Sequence, residues 1–201
     1  MIVIINHGLG NLKGILHKIE KGNIKAKISN DPNDIITADK LILPGVGSFR
    51  TAIENMRKLS LVDVLNNKVV IQKTPILGVC LGMQLFTKFS EEGNCEGLGW
   101  IDGITKKFIA KNRLKVPHMG WNKLEFIKKS SWFNGIDDIP YFYFVHSYFV
   151  TCHDKNDVLA TTFYDHDFVS VINRENIFGV QFHTEKSHQQ GIRLLHNFCN
   201  L

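Results

Sequence analysis

The stretch ILGVCLGMQLF, residues 76–86, places one cysteine between two glycines, where a short apolar run gives way to a helical pattern. An apolar strand, then G-x-C-x-G over residues 78–82, then a helix predicts a sharp strand-to-helix turn, because the glycines avoid a side-chain clash. Such a turn would expose Cys80 at the carboxyl edge of a sheet. The alternative is a buried structural cysteine between packing glycines, and the motif alone leaves both interpretations open.

Strand and helix patterns alternate on both sides of this turn. The predicted order along the first 90 residues is strand 3–5, helix 11–21, strand 24–29, short helix 31–35, strand 40–45, helices 48–58 and 61–67, strand 75–79 and helix 81–89. This alternation indicates a parallel sheet with helices on both faces.

After Gly97 the pattern becomes strand-like, with turns between the strands. The predicted strands are ITKKFIA (104–110), KLEFI (123–127), YFYFVHSYFV (141–150), VLATTFY (158–164), FVSVIN (168–173) and IFGVQF (177–182), and a closing helix follows at 187–200. The sequence therefore predicts one α/β domain over residues 1–201, with a central, mostly parallel sheet and an antiparallel-rich second half.

Composition narrows the class of protein. The chain has 201 residues, of which 44% are hydrophobic and 21% charged, as in an ordinary soluble globular protein. No run reaches the roughly 18 apolar residues of a membrane span, and the first residues lack the basic flank of a signal peptide. The four cysteines form no C-x-x-C pair, so we expect the protein to have no disulfide framework, no metal and no other cofactor. We expect it to reside in the reducing cytoplasm.

The formal net charge of +5 allows two interpretations. It could favour an anionic partner or a phosphorylated substrate. Because the lysines are spread along the chain and form no block, we interpret the charge as a solvated surface and expect neither a nucleic-acid nor a membrane partner.

The segment GLGNLKG (8–14) partly matches the dinucleotide-binding pattern G-x-G-x-x-G. Asp31 even lies about 20 residues further on, where that pattern places its acidic residue. The match fails at the third glycine, where Lys13 stands and Gly14 comes one place late. We therefore interpret the segment as a tight strand-to-helix turn.

A cysteine nucleophile needs a base, and GVQFHTEKS (179–187) offers one. His183 ends an apolar strand, and Glu185 could accept its imidazole N–H and complete a Cys-His-Glu triad. The helix after Cys80 would favour the thiolate and help to stabilise an oxyanion. The alternative for His183 is an ordinary histidine at a strand end, in a chain with nine histidines.

The segment LPGVG (43–47) ends a further strand and presents backbone amides. The N–H of Val46, together with that of Leu81, could form an oxyanion hole, and the alternative is a simple turn. All three segments follow strands whose carboxyl ends would share one sheet edge, where sites form in open α/β sheets. That shared layout favours catalysis.

Several motifs in this order resemble the class I (triad) glutamine amidotransferases. They are PGVGSF, GVCLGMQL, SEEG, GLGWIDG, VPHMGWN, YFVHSYFV and GVQFHTEKS. VPHMGWN and FVHSY are specifically similar to the glutaminase subunits of imidazole glycerol phosphate synthase in histidine biosynthesis, and the resemblance covers nearly the whole chain.

The resemblance implies a role for each site residue. Cys80 would attack the carboxamide of glutamine, His183 would act as base and then acid, and Glu185 would orient His183. The amino-acid end of glutamine would be held by Gln84, Glu92, Gly47, His146, Ser147 and Tyr148. Polar groups are needed there, because an ammonium and a carboxylate are costly to bury unpaired. For Glu92 the alternative is a solvated residue in a charged turn.

The resemblance also implies a partner. A separate cyclase subunit with a (β/α)₈ barrel would form a heterodimer with this chain and use the ammonia to make imidazole glycerol phosphate and AICAR. Asn11, Trp121, Tyr143 and Lys186 would lie toward that cyclase, although Trp121 and Tyr143 could instead be core aromatics of a sheet.

One departure from the family pattern leaves alternatives open. Thr184 stands where the family usually has proline between the histidine and the glutamate, although the His-x-Glu spacing is kept. Related subunits serve other synthases, such as nucleotide-sugar amidotransferases for surface polysaccharide. The two further alternatives are a non-catalytic regulatory subunit and a cysteine hydrolase or chaperone-like protein of related fold.

Overall fold

The first half of the chain folds as alternating strands and helices, as its hydrophobic pattern predicts. The computed structural model describes residues 1–109 and 114–201. Up to the turn at Cys80 the elements are β1 (Ile2–Ile5), α1 (Leu12–Glu20), β2 (Ala26–Ser29), α2 (Pro32–Ile36), β3 (Lys40–Gly45), α3 (Phe49–Lys58), α4 (Leu61–Asn66) and β4 (Ile76–Cys80). The side chains of Asn11, Asp31 and Ser48 cap α1, α2 and α3, because each accepts a hydrogen bond from a first-turn N–H.

The second half is mostly strands, and one helix closes it. The elements are α5 (Leu81–Gln84), β5 (Thr87–Ser90), β6 (Cys95–Glu96), β7 (Ile101–Lys107), β8 (His118–Lys123), β9 (Glu125–Phe126), β10 (Tyr141–His146), β11 (Tyr148–Cys152), β12 (Val158–Tyr164), β13 (His166–Arg174), β14 (Ile177–Val180) and α6 (His188–Cys199). The predicted fold class, with an antiparallel-rich second half, is confirmed.

One large sheet organises the molecule. Its strand order is β2-β1-β3-β4-β14-β13-β11-β7-β5-β6, with β12 and β9 attached beside β13, and β8 and β10 form a separate two-stranded sheet. Five neighbouring strands of this sheet, β2, β1, β3, β4 and β14, are parallel to one another. Strand β13 is antiparallel to β14, β12 and β11. The parallel region therefore has one common carboxyl edge.

The parallel strands are buried on both faces, which explains their continuous apolar sequences. Along β1, Ile2 and Ile4 join a core that contains α1 and α6, while Val3 and Ile5 join the opposite core with α3 and α4. Side chains alternate in this way because successive residues of a strand point to opposite faces. Helices on both faces hold the central strands in place.

The helix predicted over residues 81–89 is wrong beyond its first turn. The helix α5 ends at Gln84, and the hydroxyl of Thr87 donates to the carbonyl of Gln84 at 2.9 Å. The chain then extends into β5, which pairs with β6 and β7. Pairing with the next two strands of the chain outweighs a helical pattern of only nine residues.

The segment YFYFVHSYFV divides into two strands that belong to different sheets. β10 pairs with β8 and ends at His146, whereas β11 starts at Tyr148 and pairs with β7 and β13. Ser147 joins them. The strands predicted at 158–164, 168–173 and 177–182 are found as β12, β13 and β14. The ITKKFIA strand begins earlier, at Ile101, and Ala110 at its predicted end lies outside the described residues. The single strand predicted for KLEFI (123–127) is wrong, because Lys123 ends β8 and only Glu125–Phe126 form β9.

No helix in the described ranges, 1–109 and 114–201, is long and apolar enough to cross a membrane.

Candidate active site

Cys80 occupies a strained turn between β4 and α5. Its φ of +56° is unusual for a residue with a side chain and is typical of a residue held in place by its surroundings. A Cβ on Gly82 would lie 1.7 Å from the carbonyl oxygen of Leu43, and a Cβ on Gly78 would lie 2.6 Å from the Met83 nitrogen. Both glycines are therefore required sterically, as the G-x-C-x-G pattern predicts.

Three neighbouring strands deliver the predicted groups to one edge. β3 pairs with β4 so that Gly45 lies opposite Cys80, and β14 pairs with β4 so that Val180 lies opposite Val79. The segment that contains Val46 and the segment that contains His183 therefore leave the sheet on either side of Cys80. Parallel pairing has this consequence because all three carboxyl ends face the same way.

His183 is buried beside a carboxylate and lines the same cavity as Cys80, and its Nε2 has no hydrogen-bond partner among the described residues. Its Nδ1 is 3.1 Å from Oε1 of Glu185, and both side chains are 2% exposed. Burial lowers the pKa of His183, but the nearby Cys80 sulfur and the Glu185 carboxylate outweigh it and raise that pKa to about 10. The site therefore favours an imidazolium at position 183.

The carboxylate of Glu185 is held ionised by its hydrogen-bond partners. Burial raises its pKa, but the hydrogen bond and charge of His183, together with a hydrogen bond from Asn11, outweigh burial and lower it. Nδ2 of Asn11 donates to Oε1 of Glu185 at 3.1 Å, and Oδ1 of Asn11 caps α1. The helix start thus helps to hold the carboxylate ionised.

A cavity of about 310 Å³ opens beside Cys80. Its lining includes ten residues that the sequence analysis selects: Val46, Gly47, Cys80, Leu81, Gln84, Glu92, His146, Ser147, Tyr148 and His183. Pro117 and Val145 complete the lining. Residues from six separate parts of the chain therefore meet at one cavity, and Glu185 is bonded to one of them, His183.

Glu92 and Gln84 form part of the cavity wall and are tied to the fold. Oε2 of Glu92 accepts the backbone N–H of Phe49 at 3.0 Å, at the start of α3. Burial raises the pKa of Glu92, with the Phe49 hydrogen bond opposing it. The alternative of a solvated Glu92 is therefore wrong. The amide of Gln84 is buried and donates to the carbonyl of Tyr148 at 2.9 Å.

The residues predicted to face a partner form a partly exposed cluster. Trp121 and Tyr143 lie opposite each other on β8 and β10, with ring centroids 6.0 Å apart, and Trp121 is 45% exposed. Nζ of Lys186 is 5.7 Å from the Tyr143 ring centroid. Trp121 is therefore not a core aromatic. Asn11 differs from the other three, because its side chain bonds the carboxylate of Glu185.

Thr184 is fully buried in a short 3-10 turn, Thr184–Lys186, between His183 and α6. Its hydroxyl has no hydrogen-bond partner among the described residues. The turn is closed by the Lys186 N–H to the His183 carbonyl and the Ser187 N–H to the Thr184 carbonyl, at 3.1 and 3.2 Å. The spacing between His183 and Glu185 is therefore kept without proline.

Gln181 is a site residue that the sequence analysis does not select. Its Nε2 is 3.8 Å from the sulfur of Cys80, and its Oε1 accepts from the Gln84 amide at 3.1 Å. The sequence contains one signal for this residue. In an extended chain, side chains two residues apart point to the same side, and Gln181 lies two residues before His183.

The comparisons with known proteins identify the family. A family model described as glutamine amidotransferase class-I matches residues 3–200. The chain is 50% identical over 198 residues to "Imidazole glycerol phosphate synthase subunit HisH 2" of Methanococcus maripaludis, covering 98% of each chain. It is 46% identical to "Imidazole glycerol phosphate synthase subunit HisH 1" of Campylobacter jejuni strain RM1221, covering 100% of each.

Solved structures agree on the fold. One described as a glutamine amidotransferase superposes with a TM-score of 0.77 at 16% identity, covering 100% of both chains. An identity this low supports the fold alone, whereas the curated relatives show the family. The chain belongs to the class-I glutamine amidotransferases and, within them, to the imidazole glycerol phosphate synthase subunits named HisH.

Proposed function

We propose that the cavity beside Cys80 hydrolyses glutamine to glutamate and ammonia, with Cys80, His183 and Glu185 as the catalytic triad. The observation that carries the proposal is the strand register, which places Val46, Cys80 and His183 around one cavity. A free nucleophile, a base held by a carboxylate and nearby backbone amides are the parts that acyl transfer requires.

The first half-reaction follows from these positions. The Cys80 sulfur bonds the carboxamide carbon, and the carbonyl electrons move onto oxygen, where the N–H groups of Val46 and Leu81 would stabilise the charge. The carbon–nitrogen bond then breaks, and the His183 imidazolium gives its proton to the departing nitrogen. Ammonia and a glutamyl thioester on Cys80 result.

The second half-reaction returns the enzyme to its starting state. A water molecule gives one proton to neutral His183 as its oxygen attacks the thioester carbon. The carbon–sulfur bond then breaks, and glutamate leaves with Cys80 as thiolate beside the His183 imidazolium. Glu185 stays ionised and stabilises the imidazolium in both halves.

The opposite wall of the cavity would hold the amino-acid end of glutamine. Glu92 has one carboxylate oxygen on the Phe49 N–H, and its second oxygen would pair with the ammonium. Gln84, Gly47 and the segment from His146 to Tyr148 supply further polar and backbone groups at the cavity. The raised pKa of Glu92 fits this role, because a buried ammonium would replace the solvation that burial removes.

The ammonia would pass to a cyclase subunit with a (β/α)₈ barrel, which forms a heterodimer with this chain and makes imidazole glycerol phosphate and AICAR in histidine biosynthesis. The exposed cluster of Trp121, Tyr143 and Lys186 is the face we assign to that partner. Tyr143 lies close to the triad, because its carbonyl accepts the backbone N–H of His183 at 2.9 Å. We place the complex in the cytoplasm, where the Cys80 thiol would stay reduced.

The test is glutaminase activity of this chain mixed with the histidine-pathway cyclase of the same organism, with and without the ribulosyl substrate of the cyclase. We expect low activity from the chain alone and a large rise with cyclase and substrate. Stoichiometric labelling of Cys80 by acivicin, a glutamine-like electrophile, provides a second readout. An unlabelled Cys80 even in the presence of the cyclase would contradict the glutaminase proposal.

A different synthase is the second candidate for the ammonia. The relatives from M. maripaludis and C. jejuni carry the numbers 2 and 1 in their names, and Thr184 replaces the usual proline. Labelling of Cys80 without any stimulation by the cyclase would support this candidate. The non-catalytic alternative is disfavoured, because Cys80, His183 and Glu185 are all present and positioned together.

A further inference from the structure

A chain of hydrogen bonds runs from strand β8 to the cavity wall, through two buried histidines. Asn122 Nδ2 lies 3.3 Å from His118 Nε2, and His118 Nδ1 lies 2.9 Å from His146 Nε2. His146 Nδ1 then lies 2.9 Å from the carbonyl oxygen of Tyr148. His118 does not line the cavity, whereas His146 and Tyr148 do. The chain therefore connects a residue outside the cavity to its wall.

The two ends of the chain fix where every proton lies. The Tyr148 carbonyl can only accept, so Nδ1 of His146 carries a hydrogen, and in a neutral ring Nε2 must then accept. Nδ1 of His118 therefore donates to it, which leaves Nε2 of His118 as an acceptor. Asn122 satisfies that acceptor, because its Oδ1 accepts the Lys123 N–H and its Nδ2 faces His118. The chain closes only if both histidines are neutral.

The surroundings favour neutral rings. His118 stacks on Phe144 and Tyr164 with ring centroids 4.9 and 4.0 Å away, and His146 lies 5.0 Å from Phe168. Burial lowers the pKa of His118 to about 4. Burial, and then the nearby His118 and His183, lower the pKa of His146 to about 3, against the Tyr148 hydrogen bond.

The Tyr148 carbonyl joins this chain to the nucleophile. It accepts from His146 and also from Gln84, each at 2.9 Å. Gln84 in turn donates to Gln181, whose amide faces the Cys80 sulfur. The Tyr148 carbonyl is therefore held from two sides, by His146 and by Gln84, in addition to the pairing of β11 with β7.

We propose that His118 is a positioning residue for substrate binding: its Nδ1–H donates to His146, which fixes the Tyr148 carbonyl and the cavity segment from Val145 to Tyr148. This inference rests on the proposed function, in which that segment holds the amino-acid end of glutamine. We therefore expect His118 to act mainly on glutamine binding, since Cys80 is held by the turn between β4 and α5 and the oxyanion groups lie on other elements.

Two substitutions at position 118 separate the two hydrogen bonds of its ring. An asparagine amide nitrogen lies as many bonds from Cβ as the histidine Nδ1, so His118→Asn keeps the donor to His146 and loses the contact with Asn122. A glutamine amide reaches the place of Nε2, so His118→Gln keeps the contact with Asn122 and loses the donor to His146. Both variants are neutral and polar.

Steady-state glutaminase kinetics of the complete complex provide the main test. We expect His118→Asn to keep the KM for glutamine within about twofold of wild type, and His118→Gln to raise it roughly tenfold with kcat within about twofold. A purely structural role gives the opposite order, because asparagine leaves the larger void and damages packing more. Equal KM values in both variants, or a higher KM in His118→Asn, would overturn the proposal.

Nitrogen NMR of the imidazole rings in the full chain tests the geometry without any assay. We expect His118 and His146 both to carry their hydrogen on Nδ1 at pH 7. A hydrogen on Nε2 of either ring, or a charged ring, would overturn the proposal. If the wild-type complex has no glutaminase activity, the proposed function fails, and the spectra still decide whether the hydrogen-bond pair exists.

Discussion

His183 and the pair His118–His146 are buried to similar degrees, with exposed fractions of 2%, 3% and 5%, yet their pKa values move in opposite directions. The pKa of His183 is raised to about 10, whereas those of His118 and His146 are lowered to about 4 and 3. Burial alone would lower all three. The charged neighbours make the difference: His183 is bonded to the Glu185 carboxylate and lies near the Cys80 sulfur, while the hydrogen-bond partners of the pair are amide, carbonyl and imidazole groups.

This contrast shows how one cavity keeps a positive charge in a single place. His146 lines the same cavity as His183, and a second imidazolium there would oppose the first. A neutral His146 still donates to the Tyr148 carbonyl, so the wall is held without an added charge. The partners of each ring, more than its burial, therefore determine whether it is charged or neutral.

Removal of the sulfur that faces His183 should have the largest effect. We expect Cys80→Ala to reduce glutamine-dependent synthesis by the complex at least about 10⁴-fold, because no other group can form the thioester. Synthesis from added ammonia should persist, since the partner would carry out that step. Parallel assays with glutamine and with ammonium salt check this, and loss of both activities would contradict the division of labour.

Neutralisation of the Glu185 carboxylate should lower the pKa of His183 toward the low values of the His118–His146 pair. Glu185→Gln keeps an oxygen as acceptor but removes the charge that raises the pKa of His183. We expect kcat to fall roughly 100-fold and the alkaline limb of the pH–rate profile to move to lower pH. Glu175→Gln, which neutralises an exposed carboxylate at the opposite end of β14, is the matched control. An unshifted alkaline limb would argue against charge support from Glu185.

The two kinds of histidine should affect stability at opposite ends of the pH range. The neutral pair has lowered pKa values, so its contribution is complete above the ordinary value of 6.5 and is lost as pH falls toward 4 and 3. The contribution of His183, whose pKa is raised, is present below 6.5 and is lost as pH rises toward about 10.

The variant His118→Asn tests the acid side of this contrast. It should lose less stability than wild type between pH 7 and 5, by on the order of 1 kcal/mol once solvent screening is allowed for. Urea unfolding at the two pH values measures the difference. His166→Asn, at an exposed position on β13, is the control. If wild type and His118→Asn lost the same unfolding free energy between pH 7 and 5, the fold would not hold the pair neutral.

The residue pattern by itself predicts the nucleophile side of the cavity, whereas the opposite wall is predicted only through the family resemblance, for a physical reason. Gly78, Cys80 and Gly82 belong to one local turn, and His183 follows a strand that must end at the same edge, so short-range patterns and one rule about parallel sheets suffice. The helix predicted over 81–89 is wrong because its second half pairs with β6 and β7, which the pattern of residues 81–89 alone does not show.

The histidine pair depends on information that the local pattern does not carry. His118 and His146 lie opposite each other only because β8 and β10 pair in that register, 28 residues apart. A one-residue slip would turn one of them to the other face. The charge states of the two histidines follow from contacts that only the folded chain creates. Neither the pairing of the two rings nor their charge could therefore be deduced from residue type.

The smallest effect concerns Asn11, which connects the start of α1 to the triad. Its Oδ1 accepts from the Gly14 N–H at 3.3 Å, while its Nδ2 donates to Glu185 at 3.1 Å. Asn11→Ser keeps a capping oxygen but is too short to reach Glu185, whereas Asn11→Ala loses both contacts. We expect both variants to slow acivicin labelling of the isolated chain by roughly threefold, the effect of one weak hydrogen bond.

Only Asn11→Ala should also lose about 1 kcal/mol of unfolding free energy, because serine caps a helix as well as asparagine does. Equal stability losses in the two variants would show that the link to Glu185, and not the cap, stabilises this corner. An unchanged labelling rate in both would leave Glu185 supported by His183 alone.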